Sequence, residues 1–553
     1  MAKIVFNSFK GVAPKVHPLQ LGEGYAQSAV NIRLDRGRLE PLHGLLNTGE
    51  VAPSNTETVF LYEGQYWFTS ASDVTFTPAP LNNDPYDYVC IAGNSYPQVT
   101  RNDVALVTSP YPSTSYRLGV PTPSNPCSVA LSGTPPEEPD PLDQETVSYV
   151  HTFVDSWGRE SPPNLSSASI DVYFPGESVL VGLNSPPSGD WPFGIGAKKR
   201  IYRSNTGTDS TSFQFVAEVD IGALEYEDSI ESQYLGEVIP STTWDGPPDD
   251  DTALYPDGPL FWMDDMPNSF LIGVTKREVC FSEINVLHAW PIDYRKPIRS
   301  EIVGAAVIGQ GALILTKSNP YLCYGSDPAS MSLSKMESNQ ACSSKLSIVP
   351  LEESVLYASP DGLCGLVNGR IEVLTEGLIS QDEWQALAPT TIKGYAYEGM
   401  YIGFYNALGI GGDRGGFVFD PRKGTNNLVF LDFYSNAGVH YDDHLYLLKT
   451  DNQIAKFNKD TENPLNMAWK SRRVKLEQAT NFAVMKIISS DYPVNVKVRA
   501  FYDSLEVADN TYTIENSTPI YLDSGFIANE WEVEITGNAS PVFITLANSW
   551  EEM

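Results

Sequence analysis

Basic residues are scarce in this chain: 36 Lys and Arg stand against 69 Asp and Glu, a formal charge of −33 over 553 residues. That balance argues against a nucleic-acid binder of the usual kind, because such proteins gain affinity by replacing phosphate counterions with Lys and Arg. Its plainest consequence is solubility. The deficit is uneven, since residues 121–250 hold 21 acids against 5 bases, about half of the whole excess. Long apolar runs are also missing. The opening MAKIVFNSFKG has no apolar core of a signal peptide, and the longest apolar stretch, Ile302 to Leu315, is broken by Gly309-Gln310-Gly311. Neither a secretory leader nor a membrane span is therefore expected, and sequons such as Asn516-Ser517-Thr518 carry no weight.

Metal and redox signatures are absent as well. The six cysteines (Cys90, Cys127, Cys280, Cys323, Cys342 and Cys364) include no CxxC pair and have no His beside them. This argues against a zinc site and a redox dithiol and leaves buried free thiols as the expectation. No HExxH and no GxSxG occurs, and the six His are scattered along the chain. His440 and His444, flanking Tyr441-Asp442-Asp443, are the one close pair; with Asp442 or Asp443 they would make a two-His, one-carboxylate site, although surface turn residues are the simpler expectation. Asp249-Asp250-Asp251 lacks the spaced ligands of a calcium loop and is expected to be a solvated linker. GIGGDRGG (409–416) looks like a phosphate cradle, yet Arg414 stands where a dinucleotide loop needs Gly and a strand rather than a helix follows, so it is expected to be a loop between strands. No cofactor, catalytic residue or metal ligand is expected. Enzymes do occur on folds of this class, so catalysis stays open at this stage.

What the chain has in quantity is Gly (42), Pro (41), Tyr (29) and Phe (23), with few charged residues, which favours many strands joined by short turns. Its length exceeds one ordinary core, and three or more domains are expected. From Ile302, IVGAAVI, a GQG turn, ALILTK and PYLCYG have the pattern of an antiparallel sheet, with the turn from Gly325 to Pro328 launching a long loop. The same grammar returns from Lys345, with turns at Pro360-Asp361-Gly362 and Asn368-Gly369, again from Thr391, and again near Ala437. First strands near 302, 346, 392 and 437 repeat every 44 to 46 residues. A four-stranded unit of that period is what a β-propeller blade requires, because each blade buries its faces only by stacking on its neighbours. With further blade-like segments at TVFLYEGQYWFTSASDVTFT together with DYVCIAG, expected to be one blade, and at PLFWMDDMPNSFLIGVTKREVCFSE, an all-β propeller of about six blades is expected. Unrelated hairpins in a sandwich are the competing reading.

Two segments fall outside the period. Residues 119–241 open on a Pro-rich linker and then alternate Val, Tyr, Phe and Ile between polar turns, a pattern that resembles a fibronectin type III-like β-sandwich inserted between blades. Residues 471–553 alternate cleanly and suggest a C-terminal β-sandwich. The expected organisation is therefore an N-terminal segment 1–54 that supplies a strand closing the ring, propeller parts at 55–118 and 242–470, the inserted sandwich at 119–241 and the terminal one at 471–553. The last has polarised charge: residues 471–500 carry six bases against two acids, and 501–553 carry ten acids and no base.

Several stretches in order along nearly the whole chain, AQSAVNIRLDRGRLEPL, KKRIYRSNTG, HAWPIDYR, YLCYGSDPASMS, YASPDGL and LDSGFIANEWEVEITG, resemble the nozzle (tail tubular, hub) proteins of short-tailed bacteriophages. The resemblance implies a structural virion protein of the tail, assembled in the host bacterial cytoplasm. In it, a homo-hexameric ring docks below a dodecameric adaptor, near tail fibres or spikes, and genomic DNA passes through the lumen towards the host envelope without specific binding. The chain departs from such proteins in being shorter than the largest and in carrying its sandwich between its first two blades. In such a ring the basic cluster Arg472, Arg473 and Lys475 is expected to point away from the lumen towards an acidic surface on a neighbour or the adaptor, since lumen-facing bases would hold DNA that must slide. Two other classes stay in view. One is a fibre-docking or receptor-binding protein whose aromatic loops, such as DSWGRES, meet carbohydrate; the other is a propeller hydrolase acting on polysaccharide.

Overall fold

The computed structural model describes residues 3–138, 140–206, 211–352, 354–422 and 427–553. Among these, strands dominate and only two short α-helices occur, Asn102–Ala105 and Gln381–Ala386. The repeat legible from residue 302 is a run of antiparallel four-stranded sheets whose innermost strands are Ile302–Ile308, Val349–Leu351, Lys393–Tyr397 and Ala437–Tyr441. Two more such sheets begin at Thr75–Pro78 and Trp262–Met266, and the hairpin Thr58–Tyr62/Tyr66–Ser70 forms a seventh, two-stranded sheet. Numbered along the chain, the hairpin is blade 1 and the sheet from Ala437 is blade 7. The ring thus holds the six full blades together with a half blade.

Six of the seven interblade seams have a core of their own, and the seam between blades 5 and 6 shares the core of the terminal sandwich, which is why the ring closes. Gly311–Thr316, the second strand of blade 4, shows the logic. Its side chains alternate faces, so Ala312 and Ile314 pack on Ile272 and Phe281 of blade 3 while Leu313 and Leu315 pack on Val355 and Tyr357 of blade 5. A strand covered on both faces has no polar side to show. Equivalent seams join blades 2 and 3 through Cys90, Val99, Met263 and Leu271, blades 6 and 7 through Ile402, Phe404, Leu445 and Leu447, blades 7 and 1 through Leu448, Ile454, Val59 and Leu61, and blades 1 and 2 through Tyr62, Phe68 and Val89. The tight hairpins fall where the sequence places turn chemistry. Asn368-Gly369 and Asp442-Asp443 both have positive φ at each residue, the conformation a two-residue turn demands. The segment after Gly325 does not form a long loop. Asp327 caps a short 3₁₀ turn, and Ser332–Lys335 returns as the fourth strand of blade 4.

The N-terminal segment is divided between two structures. Gly44–Val51 pairs with Gln453–Asp460 as the outermost strand of blade 7, joining the two ends of the propeller chain. Lys3–Phe6 pairs with Pro541–Ala547, and Ala26–Val30 pairs with Met467–Ser471. The terminal sandwich is consequently not built from 471–553 alone. One of its sheets starts at Lys3–Phe6; the other runs through Ala26–Val30 into Asn427–Leu431 of blade 6. Its core is continuous with blades 5 and 6, where Trp469 and Trp531 share a cluster with Ala358, Leu363 and Phe417. The strand alternation in 471–553 was readable, but these strands leave one sheet edge and much of a face uncovered, and residues several hundred positions away cover them.

The inserted module is a β-sandwich with two three-stranded sheets. One holds Ser128–Gly133, Glu177–Gly182 and Glu225–Asp228, the other Tyr149–Val154, Lys198–Thr206 and Thr211–Asp220. Val147, Tyr149, Val179, Val181 and Ile201 fill the space between them.

Candidate functional site

Charged side chains converge at three places. The first is the propeller axis, where a cavity of about 270 Å³ is lined by residues of the innermost strands of six blades, among them Val59, Phe76, Tyr395 and Val439, and by Lys345, Leu346 and Ile348 just before blade 5. Lys345, just before blade 5, reaches Asp73 at the start of blade 2 at 2.8 Å, and Lys393 of blade 6 reaches Glu57 beside blade 1 at 3.0 Å. Each pair joins blades that are not neighbours. The two ammonium groups are balanced by two carboxylates, so these clasps leave no net charge of their own at the axis.

The second is the seam between the inserted sandwich and blades 2 and 3, built by the DSWGRE loop. Asp155 accepts hydrogen bonds from the backbone N–H of Trp157 and Arg159 and from Arg159 Nε, fixing the turn. Arg159 then donates to the Leu118 carbonyl at 2.8 Å. Trp157 packs edge-on against Tyr88 and Tyr116, with the Arg101 guanidinium 4.4 Å from its ring centre. The loop therefore docks the module and does not present a platform to carbohydrate. On the other side of the junction Arg117 pairs with Asp249 and Asp250 and lies 3.8 Å over the Tyr96 ring. Asp251 caps the next turn through Ala253 N. The acidic run thus clamps the two connections of the insertion together and is not simply solvated.

Two buried imidazoles belong to this region. His288 donates from Nε2 to the Glu160 carbonyl at 3.0 Å and sits edge-on to Trp244; burial, aided by Arg159, pushes its pKa down to about 3. His151, inside the sandwich, is held down to about 4 by burial and then by Lys199, and its Nε2 accepts the Asn184 N–H. Both are neutral in the fold, whereas the unfolded chain takes up protons near pH 6.5. Between that value and the folded ones the unfolded state binds more protons, so stability is full above about pH 6.5 and falls as pH drops towards 4 and 3. Chemical denaturation followed by Trp fluorescence from pH 7.5 to 4.5 should show the inserted module weakening first. His288→Gln should remove part of that slope; an unchanged slope in the variant would count against the assignment.

The third place is the outer face of the terminal sandwich, where the basic cluster lies. Arg473 reaches Glu532 at 3.2 Å and Glu530 at 3.7 Å, with its guanidinium 3.7 Å over Phe501, and Lys475 reaches Glu530 at 3.7 Å. Both carboxylates are fully buried, and Glu532 is also approached by Lys470 and Arg499. Burial alone would raise the Glu532 pKa, but hydrogen bonds from Gln27 and Lys470 outweigh it and hold the carboxyl below its usual value. The acidic partner expected on a neighbour is thus, for Arg473 and Lys475, within this chain. Ten acids in the last 53 residues hid this, because the pairing depends on strand register: Lys475 stands directly opposite Glu530. Arg472 has no ion pair among the described residues and lines a groove beside Lys3.

The remaining candidates separate. His440 lies opposite Leu445, and His444 opposite Tyr441, so the two imidazoles project from opposite faces of one hairpin. His444 Nδ1 lies 2.6 Å from the Asp442 carbonyl. No group of three or more His, Cys, Asp or Glu is placed to hold a metal among the described residues. GIGGDRGG forms the exposed connection between the second and third strands of blade 6, with Gly415 and Gly416 already in the strand. All six cysteines are free and buried. Sequence reasoning missed Lys345, Lys393, Arg101 and Arg117. Their one signal was position: each is an isolated base at or beside the end of a strand in a chain poor in bases.

No family model and no curated protein matches the chain. Among solved structures it is similar to a computationally designed protein (8% identity over 75% of this chain and 99% of that one, TM-score 0.28). It is also similar to BamB of Moraxella catarrhalis (10% identity, 70% and 94%, TM-score 0.27), and to PorZ, a surface component of the type-IX secretion system of Porphyromonas gingivalis (8% identity, 90% and 82%, TM-score 0.26). Likenesses this faint carry no argument about function, and the propeller stands on the seven sheets and their seams.

Proposed function

We propose that this chain is a structural subunit of a short bacteriophage tail, forming the nozzle ring below the adaptor as a homo-hexamer through whose lumen DNA leaves. The observation that carries the reading is where the charged groups are spent. The clasps across the axis tie distant blades together, the Arg159 and Arg117 anchors hold the insertion to the propeller, and the ladder on Glu530 and Glu532 ties neighbouring strands within the terminal sandwich. Such a molecule is a rigid block rather than a chamber for substrate, and its charge of −33 suits a wall past which a polyanion slides. The ordered likeness to nozzle proteins along the sequence supplies the identity of the assembly. Two-dimensional class averages of the purified protein, alone and with the adaptor, are expected to show six-fold rings, and imaging of intact virions should place the ring at the distal side of the adaptor. Trimers, or density confined to fibres, would favour the receptor-binding reading. DSWGRES no longer supports that reading, because the loop is committed to the seam.

A further inference from the structure

The terminal sandwich has unpaired strands on two opposite sides, and they carry opposite charge. On one side the strand Lys3–Phe6 ends its sheet and Val474–Thr480 lies at the margin of the other. Between them runs a groove of about 170 Å³ whose lining includes Lys3, Val5, Glu23, Arg472, Val474 and Leu476. Val5 is 36% exposed. Its charged lining is Lys3 and Arg472 against Glu23, a net positive groove. On the far side, Leu505–Ile514 is a ten-residue edge strand that pairs, among the described residues, only with Val494–Tyr502. It has no Lys or Pro to blunt it, the usual protection of an open edge. Glu506 and Glu515 are exposed there, together with Leu505 (74%) and Val507 (42%).

We infer that the acidic edge strand Leu505–Ile514 of one copy docks into the basic groove between Lys3–Phe6 and Val474–Thr480 of the next copy. Backbone groups of the two open edges pair, apolar side chains of the strand meet Val5, Val474 and Leu476, and Glu506 and Glu515 face Lys3 and Arg472. Charge decides the symmetry. A groove-to-groove contact would set Lys3 and Arg472 against themselves, and an edge-to-edge contact would do the same to Glu506 and Glu515; like-charge juxtaposition disfavours both isologous arrangements. The remaining arrangement is head-to-tail, and because groove and edge lie on opposite sides of the sandwich, no copy satisfies itself. Head-to-tail contacts related by a closing rotation generate a ring. The contact rests on the proposed ring assembly and adds to it the surfaces that would build the ring and their polarity. It also gives Arg472 a role separate from that of Arg473 and Lys475.

A charge-swap experiment tests it. One variant carries Lys3→Glu and Arg472→Glu, the other Glu506→Lys and Glu515→Lys; both sets are at exposed or half-buried positions and should leave the melting temperature within a few degrees of wild type. Mass photometry over a concentration series is expected to show the wild type assembling, each variant alone failing to assemble, and an equimolar mixture recovering rings in which the two alternate. A Val5→Cys/Val507→Cys protein should form disulfide-linked multimers under oxidation, whereas either cysteine alone should give none. Unimpaired assembly of both charge variants, failure of the mixture to recover, or absence of the crosslink overturns the contact. A six-fold wild-type ring indifferent to the swap leaves the nozzle reading standing without this contact. A ring of another symmetry that obeys the swap sinks the nozzle reading and keeps the contact. A wild type monomeric throughout overturns both.

Discussion

Asp228→Ala is expected to unfold the inserted sandwich while the propeller stays folded. Asp228 and Arg203 form an ion pair at 2.6 Å with neither side chain exposed. Asp228 also accepts from Tyr149 Oη at 2.8 Å and from Ile230 N, and Arg203 lies 4.3 Å over Phe174 and donates to Ser232 Oγ. Removing the acid leaves a guanidinium without its counterion in the low-dielectric interior, which costs about 3–5 kcal/mol. That is a large share of the roughly 5–15 kcal/mol a domain possesses. Limited proteolysis should then cut within 125–240 and leave a folded propeller, and hydrogen exchange should rise over Tyr149–Val154 and Lys198–Thr206. Replacing both partners, Asp228→Leu with Arg203→Met, should recover most of the loss, though not all, because Tyr149 Oη keeps no acceptor. A single variant within 1 kcal/mol of wild type (roughly the mean effect of any point change) would show that the pair holds nothing together.

Trp469→Ala should be the most damaging change outside the insertion. The indole is 1% exposed; Phe6 and Phe9 stand edge-on to it at 6.3 and 5.1 Å, and its Nε1 donates to the Lys10 carbonyl at 3.3 Å. A buried Trp→Ala truncation costs about 3–5 kcal/mol, from lost transfer energy and from the cavity left behind. Here it also removes the contact that keeps the N-terminal strand on the sandwich. Urea denaturation should show the loss, and amide exchange at residues 3–10 should accelerate well before the sandwich itself opens. Trp469→Phe should keep most of the stability, lacking only the hydrogen bond and part of the volume. Unchanged protection at residues 3–10 in the Ala variant would mean that pairing with Pro541–Ala547 alone secures the strand.

The period of the blades was legible because a blade is a local object. Its strands are consecutive, its turns carry their own chemistry in pairs such as Asn368-Gly369, and its faces alternate at period two along segments such as Gly311–Thr316. The alternating strands of the two sandwiches were legible for the same reason. The charged sites were not. Lys475 opposite Glu530, Lys345 against Asp73 and Arg117 against Asp249 are 55, 272 and 132 residues apart. In a chain with 69 acids, no local pattern marks which of them meets a given base.

By itself the sequence determined that the chain is all-β, that it repeats as propeller blades, that two segments depart from the repeat, and that no cysteine or histidine motif for metal stands in it. These follow from short-range rules of turn chemistry, alternation and spacing. An N-terminal strand closing the ring was expected; the tertiary structure alone decided that this strand is Gly44–Val51 on blade 7 and that Lys3–Phe6 and Ala26–Val30 complete the terminal sandwich. It also decided that DSWGRES is a docking loop and that, of three neighbouring bases, Arg473 and Lys475 are spent inside the chain while Arg472 lines an open groove. The reason is physical. A strand edge or a lone charge is satisfied by whichever partner the folded chain brings within hydrogen-bonding distance, and that partner is fixed by sheet register and module packing over hundreds of residues, not by neighbours in sequence.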